Sequence, residues 1–529
     1  MIIGRNMEYN TKEIQDSIFF LIVFCVIFDN IPKAFSFNFW GLGGPYSLML
    51  GDYPIMLGFL FTAYLVYKKS INFWNRNVVA FFIIVVILSG ASAIHGLYIY
   101  PYWDLLINAP EPQIEKLPGV LLFLQEHNFK ISYEQLFSIW IFVRSIKSVI
   151  LDLIYRFGFS YMIYLWYKND FRRAWNVLWK GMVAGVIIFI TYGFVDVCFL
   201  HGSSVATSIL KRVNPLLHDI GKIHEWWPPL LWKGQFRSVF SEPSRVGNYI
   251  AFILPLLFEP IFNKTKYWKY FLVVIYIICY MVFLTHARTA VSMLLGIMGL
   301  TTLVLVVFRW AECLKQFSTI LLVTVLAFCT SIGSIMFVEG KKGIMDEPNE
   351  VAVRYVEDNV NSLASSNKRS NHARYALLKA NIKIGLEYPV LGVGPMLNGA
   401  YVVNHFDEYD LESDEVQQWI KAYWEMGPLK HNFDAMNEYV TVFSTNGFLG
   451  LICLFIPFIY GCLRLWKYID KCIENNQKRK SLCLFISVIS SLVAGCNGSL
   501  IIIYAIWILL AMVYIILSEQ KEPIHEKPF

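Results

Sequence analysis

Charged residues are scarce in this chain. Only 16% of its 529 residues are Asp, Glu, Lys or Arg, whereas 56% are hydrophobic. Apolar runs long enough to cross a bilayer recur from near the N-terminus almost to the end, and this pattern excludes a soluble fold. The sequence therefore predicts an all-α polytopic membrane protein, with residues 1–529 forming a single integral membrane domain.

Several chemical signatures are missing as well. The sequence has no CxxC pair, no Gly-rich phosphate loop and no internal repeat, and most of its 10 cysteines lie in or beside apolar runs, where a thiol packs as a small hydrophobe. A disulfide or zinc framework is therefore not expected. The formal net charge of +6 is spread over short loops, which favours anionic lipid or phosphate partners and argues against nucleic acid.

About twelve transmembrane helices are predicted, because that many apolar windows have the roughly 17 to 25 residues that a helix needs to cross the hydrocarbon core. The first window has no small-residue cleavage site after it, so it is expected to be a permanent helix and not a signal peptide. The windows start near Ser17, Asp52, Asn77, Phe137, Trp175, Val239, Tyr270, Thr289, Phe317, Met436, Ser481 and Ser499.

The basic residues predict the topology. They follow spans two, four, six, eight and ten, so the positive-inside rule places these loops and both termini in the cytoplasm. The long connections 101–135, 200–238 and 338–435 then face outward. The last, a large extracytoplasmic loop between spans nine and ten, is predicted to fold into amphipathic helices over the bilayer surface; the alternative is a flexible loop.

Charges inside spans are costly and therefore mark candidate functional positions. Arg144, Lys147, Asp152 and Arg156 occur in a segment, 137–167, that is long for one span. Either these charges belong to a span, or the segment is a surface helix followed by a span and its charges snorkel to the interface.

Two further charged groups lie at predicted outer helix ends. Arg237, Glu242 and Arg245 surround the entrance of span six. There Glu242 is either a structural ion-pair partner or a positioned base or sugar ligand. His286 and Arg288 lie at the turn between spans seven and eight, where the planar fork of Arg288 either suits a diphosphate or anchors the hairpin to lipid headgroups.

The order and spacing of several motifs resemble the O-antigen polymerase (Wzy) and O-antigen ligase superfamily, over roughly residues 235–460. No single motif is specific; the resemblance lies in their succession. The motifs are Phe-Ser-Glu-Pro-Ser at 240–244, Thr-His-Ala-Arg-Thr at 285–289, Ala-Arg-Tyr at 373–375, Pro-Val-Leu-Gly-Val-Gly-Pro at 389–395, and the segment 437–450, which contains Gly-x-x-Gly.

The resemblance implies a GT-C-like membrane glycosyltransferase that uses no metal and no other cofactor. Its expected substrate is an undecaprenyl-diphosphate-linked oligosaccharide at the outer face of the bacterial inner membrane, with a flippase and a chain-length regulator as further partners. The expected function is polymerisation of repeat units in O-antigen, capsule or exopolysaccharide synthesis. The same family implies one alternative, an O-antigen ligase that transfers glycan to lipid A core.

A transporter, such as a flippase for the same lipid-linked unit, is the alternative from a different class. The sequence shows no pair of similar halves with broken helices, which many carriers have, and its longest predicted loop favours an outward-facing enzyme site. The Glu-Pro-Ser entrance at 242–244 and Met436 favour polymerase over ligase.

Arginines are expected to stabilise the diphosphate leaving group if no metal takes part. The sequence departs from the family at Met436, where His often precedes the Asn, and at Thr445, which is often acidic. Glu242 and His431 are the two candidates for the base that activates the acceptor hydroxyl; the alternative is a reaction that needs little help from a base. The predicted diphosphate and substrate ligands are Arg237, Arg245, His286, Arg288, Arg374 and Asn437.

The glycine-containing turn at 389–395 is a further candidate. Gly392 and Gly394 either let the backbone approach the substrate closely or form a plain turn between two helices of the large loop.

Overall fold

A computed structural model describes residues 2–36, 49–109, 114–220, 228–341, 347–364, 369–429, 433 and 436–519. Within these residues the regular structure is helical and contains no strand. The helices of the first half are α1 (Ile2–Phe24), α2 (Asp52–Tyr67), α3 (Arg76–Ile99), α4 (Trp103–Ile107), α5 (Leu117–Glu126), α6 (Tyr133–Leu153), α7 (Phe159–Tyr167), α8 (Phe171–Leu200), α9 (Ser204–Leu217), α10 (Pro243–Leu257) and α11 (Glu259–Phe262).

The second half continues with the same architecture. Its helices are α12 (Trp268–Leu284), α13 (Arg288–Val307), α14 (Ala311–Gly340), α15 (Pro348–Asn359), α16 (Arg369–Glu387), α17 (Asn398–Asn404), α18 (Glu408–Leu411), α19 (Asp414–Met426), α20 (Glu438–Lys471), α21 (Asn475–Ala494) and α22 (Ala505–Ser518).

The predicted class, an all-α polytopic membrane protein, is confirmed. Among the described residues, seven helical segments are long and apolar enough to cross a membrane: α3, α8, α10 with α11, α13, α14, α20 and α21. Three shorter apolar helices, α2, α12 and α22, occupy the places of further predicted spans. The remaining two predicted spans fall on α1 and on α6 with α7, which carry more charged residues.

The helix α10 lies at the centre of the bundle. Of its most apolar window 94% is buried, compared with 11% for α3. It packs between α13 and α21. A helix whose later turns, residues 249–257, are apolar on all sides is expected in such a position. In contrast, α3 exposes most of its apolar surface at the edge of the bundle, where lipid would cover it.

The charged segment 137–167 forms one interrupted helix. Residues Ile154–Gly158 form a π-helical turn that joins α6 to α7. Arg156 lies in this turn and is buried, whereas Lys147 is exposed and the Arg144 guanidinium lies over the ring of Trp140 at 5.2 Å. Snorkelling to the surface therefore describes Lys147 but not Arg156.

The large loop is folded and not extended. Helices α15 to α19 lie within residues 338–435, and α16 packs against α20. A second hydrophobic core joins this loop to residues of the connection 101–135, with Leu106 and Leu117 on one side and Leu377 and Tyr401 on the other. The two long connections therefore form one layer at one end of the bundle.

Candidate functional site

A tight turn between α12 and α13 positions Arg288. The Thr285 hydroxyl donates to the carbonyl of Val282 at 2.7 Å and accepts from the backbone N–H of Ala287 at 3.1 Å. His286 takes a left-handed conformation with φ of +47°. Because these contacts fix the turn, Arg288 is held at the first position of α13.

Arg288 and Arg374 lie together although they come from distant parts of the sequence. Their charges are close enough to repel each other, and Asp358 and Tyr375 lie within the same electrostatic neighbourhood. Nη1 of Arg374 donates to Oδ1 of Asn497 at 3.0 Å. We call Arg288, Arg374, Asp358, Tyr375 and Asn497 the arginine cluster. Two guanidinium groups within electrostatic range of each other are suited to bind an anion.

His286 lies next to this cluster. Its ring packs against that of Tyr355, with 5.4 Å between the ring centroids, and Tyr355 in turn donates to the carbonyl of Phe283 at 2.7 Å. Burial lowers the pKa of His286, while the charge of Asp358 acts in the opposite direction. The imidazole is therefore neutral at neutral pH.

The entrance to α10 lies beside the start of α13. Gly247 of α10 packs directly against the backbone of Ala290 in α13. The preceding loop is also bonded to the α12–α13 turn, because the N–H of Phe236 donates to the carbonyl of Leu284 at 2.9 Å. Arg245 and Arg288 consequently occupy the first turns of two neighbouring helices.

Glu242 and Arg245 form an ion pair at this entrance, with Nε of Arg245 3.3 Å from Oε1 of Glu242. The Ser244 hydroxyl donates to the same carboxylate oxygen at 2.5 Å. Asp29, from the segment after α1, accepts from the N–H of Ser241 at 3.0 Å and lies 3.8 Å from Arg245. This geometry is compatible with both predicted roles of Glu242. Its pairing with Arg245 suits a structural ion-pair partner, and the 25% exposure of its side chain suits a base or sugar ligand.

Arg237 is buried and its guanidinium donates to the protein itself. The acceptors are the carbonyls of Pro229, Leu230 and Ser241, at 3.0 to 3.2 Å. Burial lowers the pKa of Arg237. These hydrogen bonds stabilise the conformation of the loop before α10. To bind a diphosphate, Arg237 would have to give them up, and its role as a ligand stays a prediction.

Asn437 caps the start of α20. Its Oδ1 accepts the backbone N–H groups of Tyr439 at 3.1 Å and Val440 at 3.2 Å, which is what an N-cap side chain does. A ligand role for Asn437 remains a prediction. His431, the second candidate base, lies outside the described residues.

The glycine-containing turn at 389–395 docks onto a kink in α20. The N–H groups of Val393 and Gly394 donate to the carbonyls of Ser444 and Thr445 at 3.0 and 2.9 Å. Gly447 takes a φ of +66°, and a Cβ there would overlap the backbone of Val390. Gly392 and Gly447 therefore permit a close approach between the large loop and α20, whereas Gly394 approaches Gly96 of α3.

Glu438 is a buried acid that the sequence analysis did not single out. It lies 2.6 Å from Nη1 of Arg156, and its other carboxylate oxygen accepts the N–H of Leu500 at 3.2 Å. Asp29, Asp358 and Asn497 were also missed. For Glu438 a signal was available, because it opens a membrane-spanning window in which an acid is costly; the other three stand in segments whose folding brings them to the site.

Among the described residues, no group of three His, Cys, Asp or Glu side chains could hold a metal ion.

Comparison with known proteins gives one match. Residues 271–455 match the family model of O-antigen ligase (Wzy_C). This match confirms the resemblance to the superfamily for the stretch that contains Arg288, Arg374 and Asn437, and it leaves the entrance of α10 outside. No curated protein and no solved structure matches the chain.

Proposed function

We propose that this membrane protein, whose residues 271–455 match the family model of O-antigen ligase, polymerises lipid-linked oligosaccharide repeat units. The observation that carries the proposal is that Arg288 and Arg374 lie within electrostatic range of each other, while Arg374 is held by Asn497. In the proposed reaction, the bond between the donor glycan and undecaprenyl diphosphate breaks. The anomeric carbon then bonds to a hydroxyl oxygen of a second lipid-linked repeat unit, and undecaprenyl diphosphate leaves.

The arginine cluster would stabilise the leaving group. Negative charge grows on the diphosphate as the glycosidic bond breaks, and guanidinium groups bind phosphate oxygens with paired, charge-assisted hydrogen bonds. The guanidinium group of Arg374 is held by Asn497, and the turn before Arg288 fixes the backbone from which its side chain extends. Two positive groups would supply the charge that a metal supplies in other transferases.

The proton of the acceptor hydroxyl needs a base. Glu242 is the described candidate, since it lies beside the start of α13 and keeps part of its carboxylate exposed. Its contact with Arg245 at 3.3 Å holds the carboxylate in place. His431 remains the second candidate.

The proposed location is the inner membrane of a bacterium, with both termini in the cytoplasm and the arginine cluster facing outward. The substrates are lipids, so the bilayer is itself a partner. A flippase would supply the lipid-linked units, and a chain-length regulator would set the extent of polymerisation.

The second candidate is an O-antigen ligase, and it is favoured because the matching family is that of O-antigen ligase. A ligase would use the same leaving group and the same arginines, but its acceptor would be lipid A core. The identity of the acceptor therefore distinguishes the two functions.

The test is reconstitution of the purified protein in liposomes with lipid-linked repeat units from the source organism and a chelator. We expect a ladder of lengthened glycans, and we expect Arg288→Ala to abolish it. Arg354→Ala is the matched control. Arg354 lies on α15, the helix that also carries Asp358 of the arginine cluster, but it pairs with Glu339 at 2.7 Å and its side chain is 44% exposed.

Other outcomes would redirect the assignment. Transfer to added lipid A core in place of a ladder would establish the ligase. Movement of the lipid across the bilayer without any new glycosidic bond would establish a transporter. A ladder that survives in the Arg288 variant would remove the arginine cluster from the mechanism.

A further inference from the structure

A groove opens between α3, α6 and α20 at the edge of the bundle. It encloses about 750 Å³ of empty space, open space at its mouth included. One wall is polar and carries Asp152, Arg156 and Asn446, whereas Val85 and Leu88 of α3 belong to the apolar part. Such a groove suits an amphiphile with a polar part and a hydrocarbon part.

The charged side chains of the polar wall take part in ion pairs. Nη1 of Arg156 lies 2.6 Å from Glu438, and Nη2 lies 3.0 Å from Asp152. The Asp152 side chain is 36% exposed, whereas that of Arg156 is 10% exposed. Two carboxylates contact one guanidinium, and Asp152, which lines the groove, presents a hydrogen-bond acceptor to it.

The polar groups of this lining favour one class of ligand. The hydroxyl groups of a sugar can donate to Asp152 and to the side-chain carbonyl of Asn446, and both of these residues line the groove. Charges at membrane depth are costly, and π-helical turns such as the one that carries Arg156 are frequent at functional sites.

The groove is connected to the arginine cluster by a short turn. Glu438 accepts the N–H of Leu500 at 3.2 Å, and Asn497, in the same turn, accepts from Arg374 at 3.0 Å. A sugar in the groove and a diphosphate at the arginines would therefore lie on the two sides of one turn.

We propose that this groove binds the acceptor, that is, the sugar of the second lipid-linked repeat unit, with its polyprenyl chain along the apolar face of α3. The inference rests on the proposed polymerase, because that reaction needs two lipid-linked substrates and the arginine cluster accounts for only one diphosphate. The face of α3 is available to lipid, since only 11% of its apolar window is buried.

The first experiment measures binding without turnover. The probe is a repeat-unit glycan joined to a polyprenyl chain by a non-scissile ether and carrying a benzophenone, so that it can accept but not donate. We expect light to cross-link it to α3 or α6 in the groove, and excess unlabelled ether lipid to prevent this. Cross-links that map only to the arginine cluster, or that are not competed, overturn the proposal.

The second experiment measures the KM for the ether-linked acceptor at fixed donor. Asp152→Asn should raise the acceptor KM about tenfold, the loss expected when a charged hydrogen-bond acceptor is removed. Ser148→Phe, which fills the groove, should raise it at least as much. Ile150→Phe is the matched control on the same helix, because Ile150 is 43% exposed outside the groove.

The outcomes separate the groove from the proposed function. An unchanged acceptor KM in both groove variants of an active enzyme overturns the acceptor site while the polymerase stands. If the wild-type protein makes no ladder, the polymerase fails, and competed cross-linking in the groove still decides whether a lipid-linked sugar binds there.

Discussion

Nη1 of Arg156 and Oε1 of Glu438 lie 2.6 Å apart, although 282 positions separate the two residues in the sequence. The pair joins the π-helical turn after α6 to the first residue of α20. Because Glu438 also accepts the N–H of Leu500, three distant segments meet at one carboxylate. This contact connects the edge of the bundle with the turn under the arginine cluster.

Breaking this pair should destabilise the protein strongly. Arg156→Met leaves Glu438 buried without its cation, and removal of one partner of a buried ion pair typically costs about 3–5 kcal/mol. The free energy of unfolding in detergent measures the effect. Combining Arg156→Met with Glu438→Gln should recover most of the loss, since the amide keeps the bond from Leu500. Equal destabilisation in the single and double variants would contradict the role of the pair.

Arg374→Lys should lower kcat about 100-fold, because lysine keeps the charge but loses the planar fork that binds two phosphate oxygens. Rates of glycan lengthening in liposomes give the measurement. Asn497→Ala should reproduce a smaller part of the loss, since Asn497 only positions Arg374. Wild-type rates in Arg374→Lys would show that a single positive charge suffices there.

Gly447→Ala should lower the unfolding temperature and the activity together. Alanine at a φ of +66° is strained, and its Cβ would overlap the backbone of Val390. Gly299→Ala in α13 is the control, because no atom lies within 4 Å of a Cβ there, and replacing a helical glycine should stabilise the protein by up to about 1 kcal/mol. A neutral Gly447→Ala would refute the docking of the turn on this kink.

Stability should fall as the pH falls from 7 to 5. Burial lowers the pKa of His286, so below about pH 6.5 the unfolded chain binds a proton that the folded protein excludes, which favours unfolding. Thermal unfolding at a series of pH values measures this slope. His286→Gln should flatten it, since glutamine does not titrate. An identical slope in that variant would place the pH dependence elsewhere.

Hydropathy predicted the fold well because the bilayer demands long apolar helices, and each predicted span falls on a helix. The sequence singled out Arg288 as an arginine at a helix end beside the membrane, and Arg374 through the family resemblance; a functional role for either residue stays a prediction. The sequence did not predict that Arg288 and Arg374 lie close together. This proximity depends on how α16 packs on α20 and on how the turn at Asn497 is formed, which no local pattern encodes.

The glycine-containing turn illustrates the same limit of local patterns. Positive φ at Gly392 and Gly394 was implied by residue type, but the surface that they approach depends on a kink far along the chain. The ion pairs of Glu242 and the cap at Asn437 are short-range contacts. Such contacts can be predicted from the sequence. The contact of Asp29 with Arg245 at the start of α10 cannot, because it depends on the packing of α1 against α8.

The docking of this turn on the kink in α20 also has a consequence for biosynthesis. The turn leaves the ribosome before α20 does, and the carbonyls that accept from Val393 and Gly394 belong to that later helix. Until α20 has been inserted, the N–H groups of Val393 and Gly394 therefore lack these acceptors, and we expect water to hydrogen-bond to them instead. A nascent chain arrested before Gly447 would expose the turn to protease, and release of the next helix would protect it.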